Sequence, residues 1–267
     1  MELLDVLNAV SVINRDNGSR FTQTKRIDAI TSILWNSKYR RINADGLFIL
    51  YASKPLAEYV GNEVVVVTSH IDCERSITRC FSEREQNGML KGTYDNGITN
   101  AAITYLMMKD SLPENVLVAF TGDEEVGSGG AAQLASFLKE NGIKIRHVFV
   151  LGVTDMGWNE AADFTIENNF WNGDCGRKII NAVQALPYNW RFVPSDCNDV
   201  PAFVPKEFVI DEEAGEDESW EFDEHGINCC SICLPVKGEM HSDHGVLARE
   251  ISFYNFTEAL ARILANC

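Results

Sequence analysis

Acidic and imidazole side chains recur at the ends of apolar runs in this chain, or in the turns behind them: His70, Asp72, Asp95, Glu124, Glu125, Asp155 and a histidine at 241 or 244. The adjacent pair Glu124-Glu125 is the most telling, because it stands between the apolar run ending at Phe120 and the glycine-rich turn Gly127-Ser128-Gly129-Gly130. Two like charges side by side at the end of a buried strand are costly unless a cation offsets them or one holds a proton. Carboxylate oxygen and imidazole nitrogen are the donors that zinc and neighbouring divalent ions take in catalytic sites. The set therefore reads as a metal site, and a pair of divalent ions would neutralise this much negative charge. Each element is weak by itself: Asp95-Asn96-Gly97 has the composition of a turn, and paired glutamates commonly open a solvated helix. Their joint occurrence after apolar runs carries the reading.

The elements that must position these groups alternate along the chain, which predicts an α/β layer fold with a mixed, mostly parallel sheet. Thr24–Trp35 has apolar residues at Ile27, Ile30, Ile33 and Leu34, a helical spacing. Strands are expected over 46–52 and 63–68. The second of these contains Val64-Val65-Val66-Val67, β-branched at successive positions, and so should be buried on both faces as a central strand. It leads into Ser69-His70-Ile71-Asp72. A helix is expected over 98–108, a strand over 116–120 that delivers the glutamate pair, a helix over 131–139, and a strand over 147–153 that delivers Thr154-Asp155. Further on, a strand is expected over 166–171, a helix over 176–186, a strand over 227–236 leading to His241, and a long final helix over 248–265. Open α/β sheets bind ligands at the carboxyl ends of their strands, where these side chains stand.

Length and composition bound the rest. With 267 residues and 45% hydrophobic composition, the chain can bury a full core as one domain, 1–267. The formal net charge of -16, from 39 acidic and 23 basic residues, argues against nucleic acid as a partner. Nine carboxylates and no base fall within 211–224, which reads as a solvated loop, or as an attractor of cations. No apolar run is long enough to span a membrane, and the first residues, Met1-Glu2-Leu3-Leu4-Asp5, lack the basic start of a secretory signal. Eight cysteines without such a signal read as reduced thiols in a cytoplasm. Cys230 and Cys233 have the separation of a metal knuckle, but no second pair accompanies them.

Five stretches, Thr68-Ser69-His70-Ile71-Asp72, Asp95-Asn96-Gly97, Glu124-Glu125-Val126-Gly127, Thr154-Asp155-Met156 and Met240-His241-Ser242, resemble in this order the motifs of the co-catalytic zinc exopeptidases. That superfamily holds leucyl aminopeptidase-like enzymes, tetrahedral and glutamyl aminopeptidases, and carboxypeptidase and deacylase relatives. The resemblance spans roughly residues 20 to 265. It implies a three-layer α/β/α fold of the phosphorylase/hydrolase type and hydrolysis of a peptide or small amide substrate. It implies two divalent ions, zinc by default, with manganese and cobalt fitting the same ligands. Residue by residue, it implies that His70 and Asp155 hold one ion, Glu125 and His241 the other, and Asp95 both. Glu124 is then the general base for the attacking water, and Asp72 the partner that orients the His70 ring. His241 is preferred to His244 because it follows directly from the strand before it.

The chain also departs from its relatives. Only 24 residues separate His70 from Asp95, and 85 separate Asp155 from His241, too few for the second domain of the tetrahedral aminopeptidases or the dimerisation domain of the carboxypeptidases. A single-domain aminopeptidase form is therefore expected, with 73–94 and 196–226 as loops or small insertions near the site and with the oligomeric state left open. Two alternatives stand beside it. One is a carboxypeptidase, dipeptidase or N-deacylase, which needs a cationic residue for the substrate carboxylate, with Arg75, Arg79 and Arg177 as candidates. The other is a non-catalytic homologue that binds metal or peptide.

Overall fold

The computed structural model describes residues 1–12, 24–43 and 46–267. An eleven-stranded mixed sheet forms its middle layer. Four strands make the parallel centre, in the order β6 (Val116–Thr121), β3 (Glu63–His70), β7 (Lys144–Thr154) and β10 (Cys229–Gly238). β2 (Phe48–Ala52) and β1 (Arg40–Asn43) extend it antiparallel on one side. On the other side β10 pairs with both β8 (Phe164–Phe170), itself parallel to β9 (Trp190–Val193), and β11 (Val246–Arg249). β5 (Met89–Gly92) and β4 (Ser82–Arg84) follow β11, so the stretch 73–94 contributes two short strands.

Valines 64 to 67 are all fully buried, and alternate ones pack on opposite faces. Val65 and Val67 meet the layer containing α1 (Leu3–Val10), α3 (Gly97–Met108), α6 (Gly173–Gln184) and α8 (Glu250–Asn266). Val64 and Val66 meet α5 (Gly129–Glu140) and Phe222 of α7 (Glu218–Glu224). This is the alternation a strand imposes, and each buried valine contributes about 1.5–3 kcal/mol. α2 (Thr24–Ile33) packs beside α1 and α3. The result is the expected α/β/α layering. No helix among the described residues is long and apolar enough to cross a membrane.

Strand register sets the site. His70 lies opposite Thr121, Ser69 opposite Leu151, and Pro235 opposite Thr154, so the carboxyl ends of β3, β6, β7 and β10 finish nearly level.

The acidic stretch corrects the expectation of a solvated loop. Residues 218–224 form α7, which packs against α5, β7, β8 and β10, with Phe222 and Glu218 fully buried. Phe222 explains the difference, because its apolar area draws the segment onto the sheet and carries acids with it. Asp211, Glu212, Glu213 and Glu216 remain exposed.

Candidate active site

α3 is apolar and buried on nearly every side, and its few polar groups act as struts to the strand ends. Asn100 donates to the His70 carbonyl (2.9 Å), Thr99 shares a hydrogen bond with Ser69 (2.9 Å), and Asn96 donates to the Leu151 carbonyl (2.6 Å). Asn96 is fully buried, and its peptide bond with Asp95 is cis. Asp95 is thereby held between β3 and β7.

The glutamate pair opens α4 (Glu124–Gly127), a single turn flanked by Asp123 and Ser128, both in the left-handed region (φ 61° and 53°). Gly130 is required behind it, since a Cβ there would meet the backbone of Gly122 and Leu47 at 2.5 to 2.6 Å. The turn aims the two side chains differently. Glu125 is the more buried, 6% exposed against 21% for Glu124.

The carboxylate of Asp95 has one oxygen toward each of two histidines. Oδ1 is 3.0 Å from His70 Nε2 and Oδ2 is 3.2 Å from His241 Nε2. Glu125 Oε2 lies 3.4 Å from the same His241 nitrogen, and Glu124 Oε2 lies 3.8 Å from His70 Nε2. Asp72, fully enclosed, reaches His70 Nδ1 at 3.3 Å and accepts the Glu125 backbone N–H at 3.3 Å, tying the ring to the turn. Asp155 lines the same cavity from beyond the end of β7. The structure thus gathers His70, Asp72, Asp95, Glu124, Glu125, Asp155 and His241 at one edge of the sheet. His244 is exposed, with its backbone N–H on Ser242.

These groups hold one another in unusual charge states. Burial opposes charge on His70, yet Glu124, Asp72 and Asp95 outweigh it and keep the imidazole well above its usual pKa. The hydrogen bond it donates to Asp95 lifts His241 to about 9, and both histidines hold Asp95 well below the carboxylate range despite its burial. Burial and then Asp95 push Glu125 up to about 7, and burial raises Glu124 as well. Oε1 of Glu125 is buried without a hydrogen-bond partner.

This arrangement fits a divalent cation. His70, Asp95 and Glu125 each offer a donor atom, all within 4.8 Å of one another, and an ion there would replace the protons that now balance the charge.

The cavity of about 530 Å³ over these residues has a wall that the sequence did not disclose. Nine of its lining residues are Asp or Glu, and among the described residues none is Lys or Arg. Glu218 lines it from α7, fully buried and pushed up to about 8 by burial, with neither carboxylate oxygen hydrogen-bonded. Glu167 on β8 lines it too, accepts from Thr165 (2.5 Å), and is raised by burial to about 7. Glu167 is one of four polar residues in the strand Phe164–Phe170, and Glu218 is indistinguishable in sequence from its acidic neighbours. The three candidate arginines lie elsewhere. Arg75 is exposed, Arg79 pairs with Glu83 and covers the Phe81 ring, and Arg177 sits over Phe203.

Comparison with known proteins agrees with this geometry. Among solved structures, the TET aminopeptidase of a Thaumarchaeota archaeon from marine sediment matches with a TM-score of 0.71 at 11% identity, over 98% of this chain and 96% of that one. An aminopeptidase of Desulfurococcus kamchatkensis matches at 0.71 and 10%, over 99% and 95%. The TET1 peptidase of Pyrococcus horikoshii, described as able to assemble into a tetrahedron or a large octahedral shell, matches at 0.69 and 11%, over 98% of both chains. At such identities the likeness is one of fold. No curated protein matches significantly in sequence. The model of peptidase family M20/M25/M40, however, matches residues 66–265, which run from the central strand through the last helix and contain every residue of the site. The chain therefore belongs to peptidase family M20/M25/M40 and is a metallopeptidase.

Proposed function

We propose that this peptidase is an aminopeptidase, with residues 1–267 acting as one catalytic domain. The observation that carries this choice within the family is the cavity wall, rich in carboxylates and without a lysine or arginine. A free α-ammonium group gains there what a substrate carboxylate would lose, since charges of opposite sign attract strongly in a partly enclosed site and like charges are excluded. A carboxypeptidase or N-deacylase needs the cation that the wall lacks.

In this reading two divalent ions, zinc by default, are held by His70, Asp155, Glu125 and His241, with Asp95 shared. When bound, the ions acidify water and polarise a substrate carbonyl. The chain's own residues do the rest. Glu124, raised in pKa and outside the three-residue donor group, takes the proton of the attacking water and passes it to the leaving amine. Asp72, 3.3 Å from His70 Nδ1, would favour the tautomer protonated there, which leaves Nε2 free to coordinate. Glu213, Glu216 and Asp217, on the segment before α7, would hold the substrate's ammonium.

Comparing aminoacyl anilides with N-acyl amino acids, each with the zinc-loaded enzyme, tests the assignment. Release of aniline from unblocked substrates is expected. Hydrolysis of only the N-acyl compounds would replace the aminopeptidase reading with the deacylase one.

A further inference from the structure

Beside the cavity, and serving no step above, a buried cation is held by two sulfurs. Arg26 of α2 is 0% exposed. Its guanidinium donates to the carbonyls of Val10 (3.1 Å) and Ile71 (3.0 Å) and to the sulfurs of Cys73 (3.4 Å) and Cys80 (3.6 Å). The two sulfurs are 4.0 Å apart. A guanidinium in the interior needs an anion near it; Asp72 is close enough to favour its charge, and the two thiols it touches can supply more. The guanidinium reaches both sulfurs, and the hydrogen bond from Cys73, with Arg26 assisting, draws Cys80 down against burial, which makes Cys80 the better nucleophile.

We propose that Cys73 and Cys80 form a redox modification site that reacts with hydroperoxides and closes into a reversible disulfide. The Cys80 thiolate attacks the terminal peroxide oxygen, giving a sulfenic acid on Cys80 and an alkoxide or hydroxide that leaves with a proton. Cys73 then loses its proton and attacks the Cys80 sulfur, expelling hydroxide, which is protonated to water. The sum is two thiols plus one hydroperoxide going to one disulfide, one alcohol or water, and one further water. The peroxide is the two-electron oxidant.

The geometry permits both steps. Both cysteines are free and partly exposed, so a small oxidant reaches them. A disulfide needs its sulfurs at about 2.05 Å, an approach of roughly 2 Å from the observed separation. Residues 71–81 contain no helix or strand to resist it. Cys73 follows Asp72 directly and its sulfur lies 4.0 Å from the Asp95 carbonyl oxygen, so the pair borders the catalytic groups.

The test is a disulfide map of the full chain after stoichiometric hydrogen peroxide, alkylation and digestion without reductant. The expected product is a peptide linking Cys73 to Cys80, about 2 Da lighter than its reduced form and restored by dithiothreitol. In Cys73→Ser, dimedone should trap a sulfenic acid on Cys80 ahead of Cys175 and Cys197, which are also partly exposed. Recovery of both thiols alkylated while Cys175 or Cys197 oxidises first would overturn the proposal, as would linkage of either cysteine to a different partner. The wild-type map decides the matter if the variant fails to fold.

Discussion

Replacing Glu124 with Gln isolates proton transfer from metal binding. The amide has the volume of the carboxyl group and keeps the turn of α4, but it cannot accept a proton at neutral pH. Glu124 stands 3.8 Å from His70 Nε2 and is 21% exposed, close to the reacting centre yet outside the group His70, Asp95 and Glu125. A general base of this kind is worth about 10²- to 10⁴-fold in rate, or about 3–5 kcal/mol in the barrier. Glu124→Gln should therefore lower kcat by two to four decades, with KM for an aminoacyl anilide and metal content close to wild type. Stability should not fall, because burial already disfavours the charge on this residue. The assay is anilide hydrolysis at saturating zinc beside elemental analysis of the same sample. Activity within tenfold of wild type would remove Glu124 from its role, and loss of metal together with activity would make it a ligand instead.

Further outcomes follow from the same geometry. Asp72→Asn, which weakens the hold on His70 and on the Glu125 N–H, should cost about 10- to 100-fold in metal affinity with the fold retained, read by competition against a chelating dye. Zinc added to chelated protein near pH 7 in weak buffer should release protons, because His70 and His241 are raised in pKa and must ligate as neutral rings; zinc binding without proton release would contradict this charge assignment. The acidic wall should favour anilides of lysine and arginine over leucine, and the preference should shrink as salt is added. Away from the site, His147 is 1% exposed and burial lowers it to about 3, below its unfolded value of 6.5. The unfolded chain binds the extra proton first, so stability is full above pH 6.5 and declines as pH falls toward 3, by a few kcal/mol at roughly 1.4 kcal/mol per pH unit. His147→Asn should flatten that acid limb in urea titrations.

Much of the site was legible because the strands announce themselves. The run Val64 to Val67, the segment ending at Phe120 and the one ending at Val153 are too apolar to lie anywhere but the sheet centre, and each delivers a polar group within a few residues of its end. Parallel register then makes those groups neighbours, which no single motif states. The second half was harder to read. α7 was hidden because the carboxylates around it mask its one inward aromatic residue, Phe222, and the burial of Glu218 depends on a docking against α5 and β10 that has no periodic signature. β9 and β1 are four-residue edge strands, held mainly by their neighbours. Arg26 shows the same limit from another side. Its charge suggests solvent although its spacing from Ile30 and Ile33 puts it on the apolar face, and only the fold reveals that it reaches two cysteines more than forty residues away.

We propose that the strand-end carboxylates and histidines are the protein half of a two-metal peptidase centre. Elemental analysis of the purified chain after zinc loading and desalting, run beside release of N-terminal residues from an unblocked peptide, tests it most directly. The account predicts two ions per chain, with chelation abolishing release and zinc restoring it. A chain that retains no ion, or that trims peptides unchanged after its metal is removed, would contradict it.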